Sequence, residues 1–385
     1  INAMRQITKD TNLDSKKASK SMNQLTGKGF YIWKIPNCEN GDPEAIATAA
    51  HMAGLSHVLI KIANGIYDYN YDFDNHKDLI APVANALHAK GIDVLGWHYV
   101  YAKLPEEEAQ AAIRQINKLP IDGYVIDAES QYKGQYTSCR IFMNKLRNAL
   151  PDFPIALSSY RYPKYHSQLP WTDFLSKCDY NMPQVYWEQS HNPAYQLKRS
   201  IKDFQTITPF RTYIPTGAAY GANGWVSTAE DVLEFMNAAN ELNLSAINFW
   251  CWDYCRSKLP DVWQTIASFS WPNDPNPPKE IPEKLIDALN SRSLEQLLNL
   301  YSADAVHINA KRTIQGFNAI KTWYQNILTN SFPNAIFTLI GCSGKNNSYH
   351  FSWKAEPNNN IISTGKDTLG LSKDKIIYHF TSFFE

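Results

Sequence analysis

Between residues 27 and 272, apolar runs of strand length alternate with amphipathic stretches of helix length. The apolar runs are GFYIWKI (29–35), HVLIKIA (57–63), DVLGWHYV (93–100), GYVIDAE (123–129), PIALSSY (154–160), YNMPQVYW (180–187), RTYIPTG (211–217) and AINFWCW (246–252). Short apolar runs bounded by turn residues and separated by helical periods predict parallel strands with crossover helices. PEAIATAAHMAG predicts a helix with Asp42 as N-cap, Pro43 at its first position and Gly54 as its stop. STAEDVLEFMNAANELN predicts a capping box of Ser227 and Glu230, and EEEAQAAIRQINKL places its acids in a first turn, where the helix dipole favours them. Eight strand–helix units in about 245 residues predict an α/β fold, the (β/α)8 or TIM barrel.

After Trp271 the texture changes. WPNDPNPPKEIP carries Pro272, Pro275, Pro277, Pro278 and Pro282, which reads as a stiff linker. The predicted organisation is a polar extension over 1–26 whose INA start reads as a tag remnant before Met4, a barrel over 27–272, a Pro-rich linker over 273–282, and a small α+β domain over 283–385. In that last domain two helical segments, EKLIDALNSRSLEQLLNLY and GFNAIKTWYQNIL, precede the strands NAIFTLIGC, SYHFSWKAE, IISTGKDTLG and KIIYHFTSFFE. The runs LEQLLNLYSADAVHINA, GFNAIKTWY and DKIIYHFTSFF resemble the nuclear-transport-factor-2-like family of cone-shaped curved sheets over about residues 280–385. The resemblance implies a module that binds a small ligand or joins two copies of the chain as a homodimer, with Asp304, His307 and His379 as candidates to line its cavity.

Composition narrows the partners. With 44% hydrophobic and 19% charged residues the chain is ordinary packed protein, and no run approaches the roughly 20 apolar residues of a membrane span, so no membrane partner is expected. Lys+Arg 37 against Asp+Glu 37 leaves no basic excess, so nucleic acid is not expected either. Aromatics make up 13% and gather at strand ends, as Tyr99 with Tyr101, Tyr186 with Trp187, and Trp250 with Trp252. Flat rings at strand ends suit flat ligands, although such rings also fill cores. The six cysteines lack disulfide or zinc spacing, and Cys251 with Cys255 read as small buried residues. No metal-ligating histidine spacing appears, so neither metal nor cofactor is expected. Ser158-Ser159 lacks a nucleophile elbow, and GAAYGANG reads as a flexible loop rather than a phosphate cradle. The polar start shows no signal-peptide core, which predicts a cytoplasmic protein, or a secreted or periplasmic one if a leader has been removed.

One acidic pair stands apart. Acids two residues apart also occur at Asp42/Glu44, Asp72/Asp74 and Glu106/Glu108, and the first and last of these sit in first helical turns that explain them. Asp127 and Glu129 instead end the fourth predicted strand, at the C-terminal face where parallel barrels hold their chemistry. Side chains two apart on a strand point the same way, so if Val125 faces the barrel interior, both acids do as well. Their repulsion raises one pKa and makes a proton donor available near neutral pH, as glycosidic cleavage requires. The competing reading is that Lys61 or Arg161 neutralises them in a structural ion pair.

Asp127-x-Glu129 on strand four with Trp252-Asp253-Tyr254 on strand eight resembles the family-25 glycoside hydrolases, the muramidases. The run Met182-Pro183-Gln184-Val185-Tyr186 is similar to that of chitinase-like barrels. The resemblance implies Glu129 as general acid, Asp127 as stabiliser of the substrate acetamide or the developing cation, and Gln184, Tyr186 and Asp253 as assisting groups on a carbohydrate substrate. Trp33, Trp97, Tyr160, Trp187 and Trp252 are then candidates for stacking on sugar faces. Muramidases carry an aspartate on the first strand, where this chain has Tyr31 and Trp33. That departure leaves two expectations open: an O-glycosyl hydrolase acting on a glycan, or a barrel that binds glycan or serves as a scaffold without cutting.

Overall fold

The computed structural model describes residues 25–272, 279–345, 347–356, 363–372 and 374–383. Residues 1–24 of the predicted extension and 273–278 of the predicted linker lie outside the described residues. The chain divides into two units, residues 1–277 and 278–385.

The first unit is a mixed α/β structure built on a curled sheet. Its strands are β1 (Gly27–Ile32), β2 (His57–Asn64), β3 (Asp93–Val100), β4 (Gly123–Ala128), β5 (Ile155–Ser158), β6 (Tyr180–Asn181), β7 (Thr212–Tyr213), β8 (Thr216–Ala218) and β9 (Ala246–Trp250). They pair in the order β7-β6-β5-β4-β3-β2-β1-β9-β8, and every one of these ladders is parallel. The crossovers run through α1 (Pro43–Met52), α2 (Ile80–Ala89), α3 (Pro105–Lys118), α4 (Tyr136–Ala149), α5 (Trp171–Leu175), α6 (Pro193–Phe204) and α7 (Ala229–Glu241), with α8 (Trp252–Lys258) and α9 (Pro260–Ser268) after β9. Because alternate side chains take opposite faces, the strands feed two cores. Tyr31, Leu59, Leu95, Trp97, Val125, Ala156, Met182, Ile214 and Ala246 make the inner one. Phe30, Ile32, Val58, Ile60, Tyr124 and Ile126 face the helices in the other.

Several predicted strands are shorter than their apolar runs. In 180–187 only Tyr180–Asn181 joins a ladder, and beyond Pro183 the pairing resumes as single bridges from Gln184 to Tyr160 and to Thr216. The run 211–217 splits into β7 and β8 around Ile214-Pro215. Proline has no N–H to give a ladder and fixes its own φ, so each run breaks at its proline. The run 246–252 also ends early, at Trp250, and Trp252 opens α8.

Helix entry follows the sequence at α1, where the Asp42 carboxylate accepts from Ala45 N at 2.8 Å. At α7 the predicted pair moves by one residue: Thr228 and Asp231 form the capping box, with Asp231 N to Thr228 Oγ1 at 3.2 Å and Thr228 N to Asp231 Oδ2 at 2.9 Å. Ser227 is instead buried and gives its backbone N–H to Tyr220 O. A long-range contact ties β1 to the last helix. The ammonium of Lys28, wholly buried, donates to Ile266 O at 2.8 Å and Phe269 O at 2.6 Å, carbonyls at the C-terminal end of α9. A cation there answers both unpaired carbonyls and the negative end of the helix dipole.

The second unit contains α10 (Ile281–Asn290), α11 (Leu294–Asn299), β10 (Tyr301–Ile308), β11 (Thr313–Gln315), α12 (Phe317–Asn326), β12 (Ile336–Lys345), β13 (Ser348–Glu356), β14 (Ser363–Ser372) and β15 (Lys375–Phe383). One sheet in the order β11-β10-β15-β14-β13-β12 packs Trp353, Phe337 and Leu369 against Leu285, Leu289, Trp323 and Tyr324 of the helices. Four strands were legible as apolar alternation. β10 and β11 were not, because β10 carries the exposed Ala303 and Asp304 and β11 is three residues long. Cys38, Cys139, Cys178, Cys251 and Cys255 are buried and free, and Cys342 is exposed. Among the described residues no helix is long and apolar enough to cross a membrane.

The shifted capping box makes a prediction. Thr228→Ala is expected to lower stability by about 1 kcal/mol, measured as the shift in the urea midpoint of the first unit, with Ser227→Ala costing less. The reverse order would place the cap at Ser227.

Candidate active site at the end of β4

In β4 Tyr124, Ile126 and Ala128 face the helices, so Val125 and then Asp127 face the interior. Glu129 follows the strand directly, with φ −125° and ψ −139°. The sequence therefore delivers both acids to one end of the inner face, and a third residue joins them. Gln184 Nε2 donates to Asp127 Oδ1 at 3.0 Å and to Glu129 Oε1 at 3.0 Å, with Ser158 Oγ further away at 3.5 Å. The competing ion pair with Lys61 or Arg161 is absent: among the described residues neither carboxylate has a salt-bridge partner.

Burial pushes the Asp127 carboxyl well above the usual carboxylate range, and the charge of Glu129 pushes it further, against the opposing pull of Lys61 and the Gln184 amide. Asp127 is 9% exposed and lies on the strand, while Glu129 stands past its end, so the carboxyl that burial raises is Asp127. The sequence led us to expect a raised carboxyl in this pair, with Glu129 as the proton donor.

Lys61, on the inner face of β2, is the nearby cation. Its ammonium donates to Asn64 Oδ1 at 3.0 Å and lies 4.4 Å from the Tyr69 ring centroid, 4.7 Å from Trp97, and 6.0 Å from both Trp33 and Tyr99. Four aromatic faces stabilise the charge electrostatically, yet burial still lowers the Lys61 pKa to about 8, with Asp127 raising it and Lys34 lowering it further. Asn64 Nδ2 in turn donates to Tyr101 Oη at 3.1 Å, and Tyr99 Oη donates to Gln131 Oε1 at 2.8 Å. Lys61 follows Leu59 by two residues, and Trp250 follows Asn248 and Ala246 at the same period, so alternation alone marks both as inward. Trp250 joins Tyr31 at 5.7 Å, Trp97 at 5.4 Å and Trp33 at 6.1 Å between ring centroids.

The remaining predicted residues divide. Tyr31 and Trp97 stand at the site but are sealed, at 3% and 2% exposure. The Tyr31 hydroxyl has Ser158 and Thr216 as polar neighbours without a well-formed hydrogen bond, and its pKa is raised by burial first and by Asp127 second. Trp33 is 40% exposed and presents a face to solvent. Tyr160 and Tyr186 are half-buried; burial and then Glu129 raise Tyr160, and its ring stacks on His166 at 3.7 Å. Together with Gln184 they line a cleft of about 510 Å³, in which Asp127 and Glu129 sit behind the Gln184 amide rather than on the wall.

Trp252 is a correction. It is wholly buried between Phe30 and Trp263, and its Nε1 donates to Glu39 Oε2 at 2.7 Å. The strand ends at Trp250, so the ring turns away from the inner face and cannot stack on a sugar. Trp187 is likewise buried, against Phe235. Asp253, in the first turn of α8, neighbours Cys38 and Cys251 and makes no described contact with Asp127 or Glu129.

In the second unit Asp304 is exposed, the surface position that was the alternative to a place in the cavity. His307 and His379 are buried with ring centroids 4.6 Å apart. His379 Nε2 bonds Asp367 Oδ2 at 2.9 Å and its Nδ1 bonds Tyr301 Oη at 2.6 Å, while both nitrogens of His307 lack a hydrogen bond. Burial and then His379 lower the His307 pKa to about 2, which keeps it neutral. A cleft of about 430 Å³ beside them is walled by Trp323, Ile327, Thr381 and Phe383, with Arg312 also lining it.

No family model matches the sequence, and no curated protein matches it. Solved structures similar to part of the chain include an NTF2-like protein from Mesorhizobium loti, 15% identical, covering 27% of this chain and 88% of its own, with TM-score 0.25. An NTF2-like protein from Cytophaga hutchinsonii is 10% identical, covering 27% and 87%, with TM-score 0.23. A protein with a ketosteroid-isomerase-like fold from Catenulispora acidiphila, in complex with trimethylamine, is 13% identical, covering 28% and 85%, with TM-score 0.24.

The raised Asp127 pKa fixes the sign of a pH effect. The native state binds a proton that the unfolded state has already released, so this group makes stability fall as pH rises from the ordinary carboxylate range toward the folded value. Asp127→Asn is expected to gain stability relative to wild type as pH rises from about 4 to 8, read from thermal midpoints. A gap that stays constant with pH would contradict the assignment.

Proposed function

We propose that the chain is an O-glycosyl hydrolase acting on a glycan, with an N-acetylated amino-sugar polymer such as peptidoglycan or chitin as the favoured class, and that its first unit is a closed (β/α)8 barrel. Support for closure comes from the seventh apolar run. Its two halves occupy opposite ends of the strand order, β7 on β6 and β8 on β9, with only Ile214 and Pro215 between them.

The observation that carries the activity is the pair of carboxylates on one carboxamide with no ion-pair partner. A single shared proton serves both roles that glycoside cleavage needs. At rest it sits on Asp127. When a saccharide covers Glu129 and excludes water, the charge on that carboxylate becomes costly and the proton moves to it. Glu129 then protonates the glycosidic oxygen as the C1–O bond breaks. Asp127 is left ionised beside the developing oxocarbenium ion or the participating acetamide; water then bonds through its oxygen to C1 as Glu129 takes one of its protons, which returns to Asp127 when product leaves. Gln184 holds both oxygens at 3.0 Å throughout. Bonds of that length from one nitrogen keep Oδ1 and Oε1 within about 6 Å, short of the roughly 6.5–9.5 Å that inverting enzymes use to admit a water. Retention of anomeric configuration is the expected outcome. The half-exposed rings of Trp33, Tyr99, Tyr160 and Tyr186 supply stacking faces.

A binding-only barrel has one observation in its favour: Tyr31, buried, fills the first-strand position where the resembled muramidases carry an acid. For the second unit we propose accessory binding of a small ligand in the 430 Å³ cleft of a nuclear-transport-factor-2-like cone.

Glu129→Gln is expected to lower kcat by about 10²–10⁴ on whichever of peptidoglycan, chitin oligomers or aryl glycosides the wild type cleaves, and proton NMR of fresh product should show the substrate's own anomer. If the variant matches an active wild type, the assignment of Glu129 fails. If the wild type binds these glycans but cleaves none, the binding-only reading replaces it.

A further inference from the structure

The cleft beside Gln184 has an unusual charge arrangement. Seven arginines are described in the first unit. Arg114, Arg140, Arg147 and Arg256 pair with Asp68, Asp173, Asp179 and Glu39, and Arg211 donates to the carbonyls of Leu175 and Ser176. The last two, Arg161 and Arg199, both line the cleft and have no carboxylate within salt-bridge distance among the described residues. Their guanidinium carbons lie over the same Tyr162 ring at 5.1 Å and 4.2 Å, and Arg199 also lies 4.9 Å from the centroid of Tyr165. Lys133, which does not itself line the cleft, lies 5.1 Å over the ring of Tyr160, which does. The one acid on the wall, Glu188, is engaged by Tyr220 Oη at 2.8 Å.

Two like charges gathered on one ring repel each other, and the ring faces and the Tyr165 hydroxyl that hold them carry no negative charge to offset it. A bound anion would. Aromatic faces hold the guanidinium planes in place; Arg199 spends one N–H of Nη2 on Tyr165 Oη, and its other N–H groups, with those of Arg161, are available for the contact that a carboxylate accepts. The same cleft offers the rings of Tyr160 and Tyr186 to a sugar face and leads to Gln184, which holds both acids.

We infer that this cleft is a subsite for an anionic saccharide unit, a sugar bearing a carboxylate, held by Arg161 and Arg199 next to the linkage presented to Glu129. The inference rests on the glycosidase reading above and names the class of its substrate.

The test uses the full chain carrying Glu129→Gln, so that nothing is cleaved during titration. Calorimetry compares oligoglucuronate and oligogalacturonate tetrasaccharides with their carboxyl-reduced counterparts, and with acetate, at one ionic strength. At least tenfold tighter binding of a uronate than of its reduced partner is expected. That preference should vanish in Arg161→Gln/Arg199→Gln and survive in part in Arg161→Lys/Arg199→Lys, with thermal midpoints of both variants confirming that they fold. Equal affinity for acidic and reduced saccharides, or a preference that outlives both arginines, overturns the anionic subsite and leaves the glycan reading standing. Binding of acetate alone, or of nothing, overturns the anionic subsite, while the glycan reading is decided separately on peptidoglycan and chitin oligomers.

Discussion

A carboxamide nitrogen carries two hydrogens, and in Gln184 each one is directed at a different carboxylate. Without that amide, Asp127 and Glu129 would face one another with no described donor between them, one of them nearly sealed from water. Gln184 is also where the sheet is most fragile, the residue after Pro183 through which the chain bridges to Tyr160 on one side and Thr216 on the other. Its backbone N–H bonds Ser159 O at 2.8 Å while its side chain holds the acids. The continuity of the fold and the geometry of the site thus meet in one residue. A backbone shift there would be felt by both carboxylates at once.

Asp127 is clearer beside another buried aspartate, Asp367 of the second unit. Asp367 accepts from Trp353 Nε1 at 3.0 Å, Thr381 Oγ1 at 2.5 Å and His379 Nε2 at 2.9 Å. Such a fully bonded buried acid specifies a core. Asp127 has one donor and shares it. A buried acid so thinly supported stays close to its uncharged form, which suits a group that must gain and lose a proton, and a neighbouring lysine caged by rings rather than bonded to it leaves that balance unfixed.

How much of this was legible in the sequence depends on which physical rule each residue obeys. The inward aim of Asp127 follows from strand alternation once Val125 is placed inside, and the eight apolar runs mark the ordered strands because parallel strands are apolar on both faces. The same rule was available for Lys61 and Trp250 and would have found both. Trp252 was misplaced because a run of rings across a strand end does not reveal where the strand stops; alternation extended past Trp250 assigns a face that the helix start then reverses. Ser227 and Thr228 are both N-cap residues, serine slightly the better, and the burial of Ser227 reverses that order. The role of Gln184 depends on two acids nearly sixty residues away in the chain, a relation that no local pattern encodes.

The bonds from Lys28 to Ile266 and Phe269 have a consequence in time. They span 238 and 241 residues, joining the first strand of the sheet to the end of the last helix packed on it. At roughly 5–20 residues per second of synthesis, the ammonium of Lys28 waits on the order of 10–50 s for the carbonyls it will cap. Until then it is a charge destined for the interior with nowhere dry to go, and it keeps that edge of the nascent sheet wet. A partly made chain is thereby discouraged from closing on the wrong helix, and the first unit can complete itself only when nearly all of its own sequence is present.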